Sequence, residues 1–431
     1  MKNWFFILIV FIVNTAKAQY TLYATGSVVD TITQPHAATL LMGGASENDS
    51  AMAKFLKYAD GGDIVVLRAS GADGYNNYFY SQLGVYVHSV KTFVVNTVAG
   101  ANDSVVVQAV RNAEAIWIAG GDQYNYVQYW RGTALNTTLN YLINTKRVPI
   151  GGTSAGMAIQ PQYYFNAQNG SVTSATALGN PYDAAVSVDH TPFLNNAQLK
   201  DIITDTHFDN PDRRGRTMTF LARTWKDEGK QISAIACEEY TAVWLDSNNK
   251  GYVFGSDPAD FAYFITIDCA GNNTIENCSS GQALNWHQDN SVVKAYKVLG
   301  NNQATNYFDI RNFAKNIQPN SGGVWEDWWV DNGTFNSASG AALQCTPQQI
   351  ATFKKFDIQL YPNPASTNIN ILNNESTSMQ MCITDVTGKV LTQQYLNNGL
   401  NIISTQHLQK GVYIVSCKKG NEVNFRKIII E

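Results

Sequence analysis

The stretch that decides the fold reads Val148-Pro149-Ile150-Gly151-Gly152-Thr153-Ser154-Ala155-Gly156-Met157. An apolar run ends in two glycines, and a serine between small residues then precedes a segment that can start a helix. This order fits the strand–turn–helix bend called a nucleophile elbow, which lifts a serine oxygen out of a tight turn. Glycines flank the serine because a Cβ there would collide with the strand or the helix. The start of the helix also leaves backbone N–H groups free nearby, so Ser154 is a candidate nucleophile.

Upstream of this stretch, short apolar runs alternate with helical patterns. Strands are predicted at residues 38–42, 63–67, 91–95, 115–119 and 148–150. Helices are predicted at residues 48–58, at 103–112 and within 126–145. Strands that are apolar on both faces and separated by helices predict an α/β fold with a doubly wound, mostly parallel sheet. Ligands of such sheets bind at the carboxyl ends of the strands. Three of these ends carry Gly-Gly pairs, and we expect them to converge on one edge: Gly43-Gly44, Gly120-Gly121 and Gly151-Gly152.

Length and charge narrow the class of protein further. The chain has 431 residues, and single cores seldom grow beyond about 250–300 residues, so more than one domain is expected. Its 30 basic and 34 acidic residues give a net charge of -4. This balance argues against a nucleic-acid-binding surface.

The first residues have the pattern of an export signal. Met1-Lys2 supplies a positive start, residues 4–13 form an apolar run, and Ala16-Lys17-Ala18 matches the small-x-small cleavage pattern. The apolar run is shorter than the roughly 20 residues of a membrane span. The mature chain is therefore expected to begin near Gln19, outside the cytoplasm.

The six cysteines fit that compartment loosely. Cys269 and Cys278 flank a polar segment that a disulfide could close, and Cys382 and Cys417 could also pair. Cys237 lies in an apolar run and is predicted to be a buried thiol. Sequence alone fixes no pairing. No CxxC motif or Cys/His cluster indicates a metal site, and no cofactor is expected.

Two histidines are candidates for the base that a nucleophilic serine needs. His190 lies in a loop sequence, where an isolated histidine is usually a surface or packing residue. His207 follows the apolar pair Ile202-Ile203, which predicts a strand that ends close to the histidine. His207 is therefore the better supported candidate.

Three arginines follow at the predicted start of a helix, namely Arg213, Arg214 and Arg216. Positive charges there oppose the favoured polarity of a helix N-terminus, which indicates that the arginines have another task. The alternative is a salt-bridge cluster with Asp209 and Asp212.

The acid that would orient the histidine is expected at the end of another strand. Residues 232–236 predict that strand, and Glu238 and Glu239 follow it closely. Since side chains alternate along a strand, only one of the two carboxylates can face the candidate site. The alternative is a hairpin turn with two exposed acids.

Four motifs occur in order between residues 38 and 245. They are Ile118-Ala119-Gly120-Gly121-Asp122-Gln123, Gly151-Gly152-Thr153-Ser154-Ala155-Gly156, Asp205-Thr206-His207-Phe208 and Glu239-Tyr240-Thr241-Ala242. This set resembles the cyanophycinase family and the related aspartyl dipeptidases, which are serine peptidases on a class I glutamine amidotransferase-like fold. The resemblance implies that Ser154 is the nucleophile, His207 the base and Glu239 the acid that orients the base.

The same resemblance implies an oxyanion hole and a substrate site. Backbone N–H groups of Gly121 and Ala155 correspond to the oxyanion hole. The residues that correspond to the substrate site are Gln123, Asp205, Arg213, Arg214 and Arg216. The family usually has arginine soon after the His-Phe pair, whereas here residues 209–212 intervene, so the roles of the arginines stay open.

From about residue 356 on, short alternating strands with Gly and Asn turns predict a small all-β sandwich. Four of its motifs are Leu360-Tyr361-Pro362-Asn363-Pro364, Asp385-Val386-Thr387-Gly388-Lys389, Gly411-Val412-Tyr413 and Lys427-Ile428-Ile429-Ile430. They resemble the C-terminal sorting domain of type IX secretion substrates. The resemblance implies handling by the type IX secretion machinery, export through the periplasm, and a secreted or cell-surface location. The alternative is an adhesive Ig-like module.

The leading hypothesis is a secreted serine exopeptidase that hydrolyses aspartyl peptide bonds, with β-aspartyl-arginine bonds as one option. A second hypothesis is an α/β-hydrolase-type esterase, whose base would be His287. A third is a surface binding protein whose site has lost catalysis. The expected organisation is a signal peptide (1–18), a peptidase domain (19–340), a linker (341–356) and a sorting domain (357–431). The expected partners are a peptide substrate and the secretion machinery, and the sequence leaves open whether a homodimer forms.

Overall fold

The structure is a computed structural model, and it describes residues 19–256, 258–270, 274–315, 319–345, 358–375, 377–419 and 422–431. The chain divides into two units, residues 1–345 and 346–431. The predicted signal peptide lies outside the described residues, as do residues 346–356 of the predicted linker.

Strands and helices alternate through the first half of the first unit. The described strands of the whole unit are β1 (Thr21–Gly26), β2 (Thr39–Met42), β3 (Asp63–Arg68), β4 (Ser89–Val94), β5 (Ala115–Ile118), β6 (Ile150–Thr153), β7 (Tyr164–Phe165), β8 (Val188–Asp189), β9 (Ile202–Asp205), β10 (Ser233–Cys237), β11 (Ala242–Leu245), β12 (Lys250–Phe254), β13 (Phe261–Ile267), β14 (Val293–Leu299), β15 (Tyr307–Asp309), β16 (Gly323–Asp331) and β17 (Thr334–Ser339). Its helices are α1 (Asp49–Tyr58), α2 (Gly74–Asn77), α3 (Val98–Ala101), α4 (Ser104–Asn112), α5 (Gln123–Trp130), α6 (Ala134–Tyr141), α7 (Ala155–Ala158), α8 (Ser174–Gly179), α9 (Arg214–Glu228) and α10 (Asn312–Lys315). Short π-helical turns span Tyr78–Gln82 and Leu142–Lys146, and 3₁₀ turns span Ala197–Leu199 and Gln288–Asn290.

The main sheet of the described residues has the strand order β1-β4-β3-β5-β6-β2-β11-β12-β15. Its middle five strands, from β4 to β2, are parallel, and antiparallel strands extend it on both sides. This confirms the predicted α/β class with a mostly parallel central sheet. The carboxyl ends of β5, β6 and β2 are neighbours, so the strands that carry the three Gly-Gly pairs lie side by side.

Buried side chains cover both faces of the main sheet. On β5, Ile116 and Ile118 pack with helices α4 and α6 on one face. Between them Trp117 points to the other face, where it packs against Phe55 of α1. Because side chains alternate along a strand, one short apolar run fills two layers of core. This is the packing of a doubly wound sheet.

A second sheet carries two of the strands that matter for the candidate site. Its order is β17-β16-β14-β13-β10-β9, and within it only β9 and β10 run parallel. A cluster that contains Ile235, Val243 and Phe264 packs the two sheets together. The strands before His207 and Glu239 therefore belong to a different sheet from the strand before Ser154.

The long helix predicted within residues 126–145 is two helices, α5 and α6. The break falls at Gly132, whose φ of 72° is in the left-handed region. Thr133 then caps α6, because its hydroxyl accepts the backbone N–H of Asn136. A glycine followed by a capping residue is a stop-and-start signal that the helical pattern had obscured.

The second unit is all-β, as predicted. Its strands are β18 (Ile358–Tyr361), β19 (Asn368–Asn373), β20 (Met379–Thr384), β21 (Val390–Leu396), β22 (Gly399–Ser404), β23 (Gly411–Lys419) and β24 (Glu422–Ile430). They form a three-stranded sheet, β18-β19-β22, and a four-stranded sheet, β21-β20-β23-β24. One hydrophobic cluster combines Ile369 and Ile371 of the first sheet with Met381 and Val415 of the second, so the unit has a core of its own.

The two disulfide pairings considered from the sequence are wrong. Cys269 bonds to Cys345, 76 positions further on. Cys278 is instead a free thiol that is buried in a hydrophobic core cluster. Cys382 and Cys417 are also free.

The register of the second unit explains those two free thiols. Cys382 lies opposite Ser416, and Cys417 lies opposite Met381. An offset of one residue places the two sulfurs on opposite faces of the sheet. The prediction that Cys237 is a buried thiol is confirmed, since that side chain has no exposed surface.

Candidate active site

Ser154 lies in a sharp bend between β6 and α7. Its φ of 51° and ψ of -113° are rare for a residue with a side chain, and such strain is common at functional sites. A Cβ on Gly152 would lie 2.5 Å from the backbone of Gly156, and one on Gly156 would lie 2.0 Å from the carbonyl oxygen of Ile118. Only glycine therefore fits on either side of the serine, as the sequence predicts.

Three side chains from distant parts of the chain form one hydrogen-bonded row. The Nε2 atom of His207 lies 2.9 Å from Oγ of Ser154, and its Nδ1 atom lies 2.6 Å from Oε1 of Glu239. His207 follows β9 and Glu239 follows β10, so the row bridges the two sheets. Serine, imidazole and carboxylate in this order can pass a proton from the serine to the histidine.

The end of β2 and the two glycines after it hold Ser154, His207 and the residue that follows Glu239 by their backbones. The consecutive carbonyl oxygens belong to Met42, Gly43 and Gly44. They accept the N–H groups of Ser154 at 3.0 Å, of His207 at 2.9 Å and of Tyr240 at 3.1 Å, respectively. Ser154, His207 and Tyr240 all have positive φ, so these bonds stabilise conformations that the residues would otherwise avoid.

Gly44 also packs directly against the imidazole of His207. Its φ is +132°, and a Cβ at this position would lie 2.3 Å from Nε2 of His207. A Cβ on the neighbouring Gly43 would lie 2.0 Å from the carbonyl oxygen of Glu238. The sequence predicted a tight turn at this strand end but not its contact with the histidine, which depends on the fold.

Glu239 is oriented by the loop that follows His207. Asn210 donates its side-chain N–H to Oε2 of Glu239 at 3.3 Å, and Asp209 accepts the backbone N–H of Glu239 at 2.9 Å. The hydrogen bond with His207, and then that with Asn210, lowers the pKa of Glu239. The segment at residues 209–212 thus supplies two contacts to the acid. Sequence reasoning missed both.

Glu238 points the other way. Its carboxylate accepts the backbone N–H of Phe261 and the hydroxyl of Tyr263, both at 2.9 Å. Burial raises the pKa of Glu238. Of the two adjacent acids, only Glu239 faces the histidine.

Ser154 opens into a cleft of about 410 Å³ that it shares with His207, Gly121 and Gln123. The turn at Gly120 lies close to the serine, since a Cβ there would be 3.6 Å from the Cβ of Ser154. The side chain of Gln123 donates to the carbonyl oxygen of Phe165 at 3.3 Å. Ala155 is the first residue of α7, a position whose N–H has no partner within the helix.

Asp205 and Arg216 are paired with each other. Both side chains are 3% exposed, and the guanidinium contacts both carboxylate oxygens. Thr217 donates its hydroxyl to the same carboxylate at 2.7 Å. The pair lies in the wall of the cleft, where its charges are already compensated.

Arg213 is a different case, because it lines the cleft without a carboxylate partner among the described residues. Its Nη1 donates to the carbonyl oxygen of Thr206 at 2.9 Å. Burial, and then the nearby guanidinium of Arg216, lowers the pKa of Arg213 to about 10. The cleft therefore contains a cation that an anionic ligand would stabilise.

Arg214 does not fit the predicted substrate-binding role. Its guanidinium bonds to Asp212 at 2.6–3.1 Å and lies over the ring of Phe335. It is not among the residues that line the cleft around Ser154 in the described structure. Arg214 thus forms the salt bridge with Asp212 that the sequence offered as the alternative.

The two other candidate histidines lie elsewhere. His190 is exposed and pairs with Glu228 at 3.1 Å. His287 precedes a 3₁₀ turn, and its backbone N–H bonds to Glu276. Neither lines the cleft that Ser154 opens into, as far as the described residues extend.

Two observations concern metals and membranes. No group of three or more His, Cys, Asp or Glu side chains within the described ranges has the arrangement of a metal site. None of the described helices is long and apolar enough to cross a membrane.

Two family models match parts of the chain. Residues 39–250 match the family model of peptidase family S51, and residues 359–431 match that of the secretion system C-terminal sorting domain. No curated protein matches the chain. The sorting domain indicates export to the cell surface or the medium.

Solved structures similar to this chain include two bacterial proteins. One is a peptidase from an acI-B1 Actinobacterium, with 13% identity and a TM-score of 0.40 over 54% of this chain and 91% of that one. The other is a peptidase E-like protein from Listeria monocytogenes EGD-e. It has 13% identity and a TM-score of 0.33 over 51% of this chain and 99% of that one.

Proposed function

Since residues 39–250 match peptidase family S51, we propose that the protein is an exported serine peptidase that hydrolyses aspartyl peptide bonds from the N-terminal end of the substrate. The observation that carries the proposal is the row Ser154–His207–Glu239, with contacts of 2.9 and 2.6 Å. We assign these three side chains as the catalytic residues of the enzyme.

The three side chains of this row supply the nucleophile, the base and the acid that the reaction needs. Ser154 Oγ attacks the scissile carbonyl carbon while Nε2 of His207 takes the hydroxyl proton. Glu239, ionised because its pKa is lowered, stabilises the imidazolium that forms. The histidine then gives the proton to the leaving amine as the C–N bond breaks, and an acyl-enzyme remains. Water repeats the sequence and releases the acid.

The negative charge on the carbonyl oxygen needs donors that are already in place. The backbone N–H groups of Gly121 and Ala155 are the proposed oxyanion hole. The first turn of α7 supports this role for Ala155, and the proximity of the Gly120 turn to Ser154 supports it for Gly121. Removing one such donor typically costs about 10²–10³ in kcat.

Charge in the cleft favours an aspartyl substrate. Arg213 lines the cleft with its guanidinium bonded to the carbonyl oxygen of Thr206, and such a group can form a paired hydrogen bond with a carboxylate. Asp122 is exposed on the same cleft and can accept an ammonium group. A cation and an anion in one cleft complement an N-terminal aspartyl residue, which carries both a free carboxylate and a free ammonium.

A substrate panel tests the proposal. The purified mature protein is assayed against cyanophycin, the β-aspartyl-arginine dipeptide and α-aspartyl dipeptides, with matched alanyl dipeptides as controls. We expect hydrolysis of an aspartyl substrate and none by the Ser154→Ala variant, whose fold is checked by circular dichroism. Hydrolysis that survives in this variant, or cleavage of esters alone, would refute the proposal.

A further inference from the structure

We propose that a second cleft beside the active site binds the part of a peptide that follows the cleaved aspartyl bond. The enzyme would then prefer oligopeptides to dipeptides. This inference rests on the proposed function, because it assigns the neighbouring cleft to the same substrate.

The second cleft has a volume of about 560 Å³. It is lined by the segment after β7, by β8 and by the C-terminal half of α9. Gln168 lines both this cleft and the one in front of Ser154, so the two meet at its exposed side chain. Each volume lies within the roughly 300–1,000 Å³ typical of ligand sites, and together they offer more room than a dipeptide needs.

Two buried polar atoms of residues in this cleft lack a partner. The hydroxyl of Ser187 and the Nε–H of Arg131 have no hydrogen-bond partner among the described residues. Ser187 is only 9% exposed. A buried donor without an acceptor costs about 1–3 kcal/mol, so such groups call for an explanation. Because both residues line the cleft, a small rotation of either side chain would bring its donor to a peptide carbonyl oxygen there.

The charged side chains of the cleft already have partners. Arg131 pairs with Asp189 at 2.7 Å, and Arg223 pairs with Asp227 at 2.8 Å. His190 lies 3.1 Å from Glu228. A lining of paired charges and free polar donors suits an uncharged polar backbone better than a strong anion. The ligand class is therefore a peptide segment.

The direction of the peptide follows from the charges around Ser154. Arg213 and Asp122 are proposed to hold the two charges of an N-terminal aspartyl residue, which leaves no continuation on the amino side. The chain after the cleaved bond must then leave the first cleft, and Gln168 marks the point where the second begins. We accordingly assign the second cleft to the carboxyl-side extension.

Substrate length is the variable that tests this assignment. The aspartyl-arginine dipeptide, in the linkage that the enzyme cleaves, is compared with the same dipeptide extended by Gly-Gly at its carboxyl end. We expect kcat/KM to be about tenfold higher for the longer peptide, which is what one or two hydrogen bonds provide. Extension at the amino end is expected to abolish cleavage.

Two variants locate the effect. The side chain of His190 is 63% exposed, so the variant His190→Trp can obstruct the cleft without disturbing the core. The control is His36→Trp, which makes the same exchange at another exposed histidine. Ser187→Ala removes one unpartnered hydroxyl, so its Tm should stay equal or rise, whereas a structural hydroxyl would lower it. Both cleft variants should reduce the preference for the longer peptide to about threefold or less.

Each outcome has a defined meaning. Equal kcat/KM for both peptides, or a preference that survives in both cleft variants, overturns the inference and leaves the proposed function standing. Faster cleavage after extension at the amino end contradicts the proposed cleavage from the N-terminal end, and the inference with it. Failure to cleave either peptide or any of the panel substrates overturns the proposed function itself.

Discussion

Ser154, His207 and Tyr240 have φ values of 51°, 47° and 63°, a region in which a side chain costs about 1–3 kcal/mol. Each is held there by a backbone hydrogen bond to the end of β2 or to the two glycines after it. Local sequence could identify Ser154, because the flanking glycines and the serine form one motif. It could not identify Gly43-Gly44 as the support of His207, because that contact joins residues more than 160 positions apart.

Gly44→Ala tests this support directly. The new methyl group would occupy the position of the imidazole, so we expect kcat/KM to fall by about 10²-fold or more, the usual effect of a displacement of about 1 Å. Gly84→Ala is the matched control, because Gly84 also has positive φ but nothing within 4 Å of an added Cβ. A Gly44→Ala enzyme as active as the Gly84→Ala enzyme would contradict the assigned role.

Glu239→Gln should lower kcat by about 10²–10⁴-fold, because a neutral amide neither fixes the histidine tautomer nor stabilises the imidazolium. Glu238→Gln, one residue away but turned from the histidine, should keep most of the activity. Rates for both variants are measured with the same aspartyl substrate. An equal loss in the two would show that the carboxylates act through the fold and not through the histidine.

The same carboxylate gives a pH dependence of stability. The pKa of Glu239 is lowered from 4.5 in the folded protein, so its contribution is present above about pH 4.5 and is lost as the pH falls through the lowered pKa. The difference in Tm between wild type and Glu239→Gln should therefore be constant near neutrality and shrink in acid. A difference that grows in acid would contradict this sign.

At the scale of elements, the sequence predicted the five parallel strands of the main sheet, because short apolar runs between polar turns are local signals; the antiparallel strands beside them, such as β1 and β12, were not predicted. It did not show that β9 and β10 pair in a second sheet, since which strands pair depends on contacts between distant segments. For the same reason residues 209–212 looked like an interruption, whereas Asp209 and Asn210 fold back onto Glu239.

The residue that caps helix α5, Asp122, combines a structural and a proposed binding role. Asp122 caps the helix by accepting the N–H of Tyr124 at 2.9 Å. Asparagine caps a helix equally well, so Asp122→Asn removes the charge and keeps the cap. We expect KM for free aspartyl dipeptides to rise about tenfold with little change in Tm.

The control for that prediction is Asp103→Asn, which makes the same exchange at the cap of α4. Its KM should match that of the wild type. If Asp122→Asn also left KM unchanged, the proposal that this carboxylate binds the substrate ammonium would be wrong.

At the scale of the molecule, the disulfide joins the end of the first unit to the end of β13. The sequence did not predict Cys345 as the partner of Cys269, because the two lie 76 positions apart and only the fold brings them together. Closing a loop of this length stabilises a protein by about 4–5 kcal/mol in the chain-entropy model.

Replacing both cysteines with serine should therefore lower the Tm of the first unit while kcat/KM at 25 °C is retained, because neither sulfur lies in the cleft. Calorimetry under non-reducing conditions measures the change, with Cys382→Ser as the control. A double variant with the Tm of the wild type would show that the bond adds no stability.

The central claim is that one hydroxyl, that of Ser154, is activated by His207. Labelling the purified protein with a fluorophosphonate probe and locating the adduct by mass spectrometry tests it most directly. We predict one adduct per chain, on Ser154, and none in the His207→Ala variant. An adduct on a different residue, or no labelling of a folded wild-type protein, would contradict the claim.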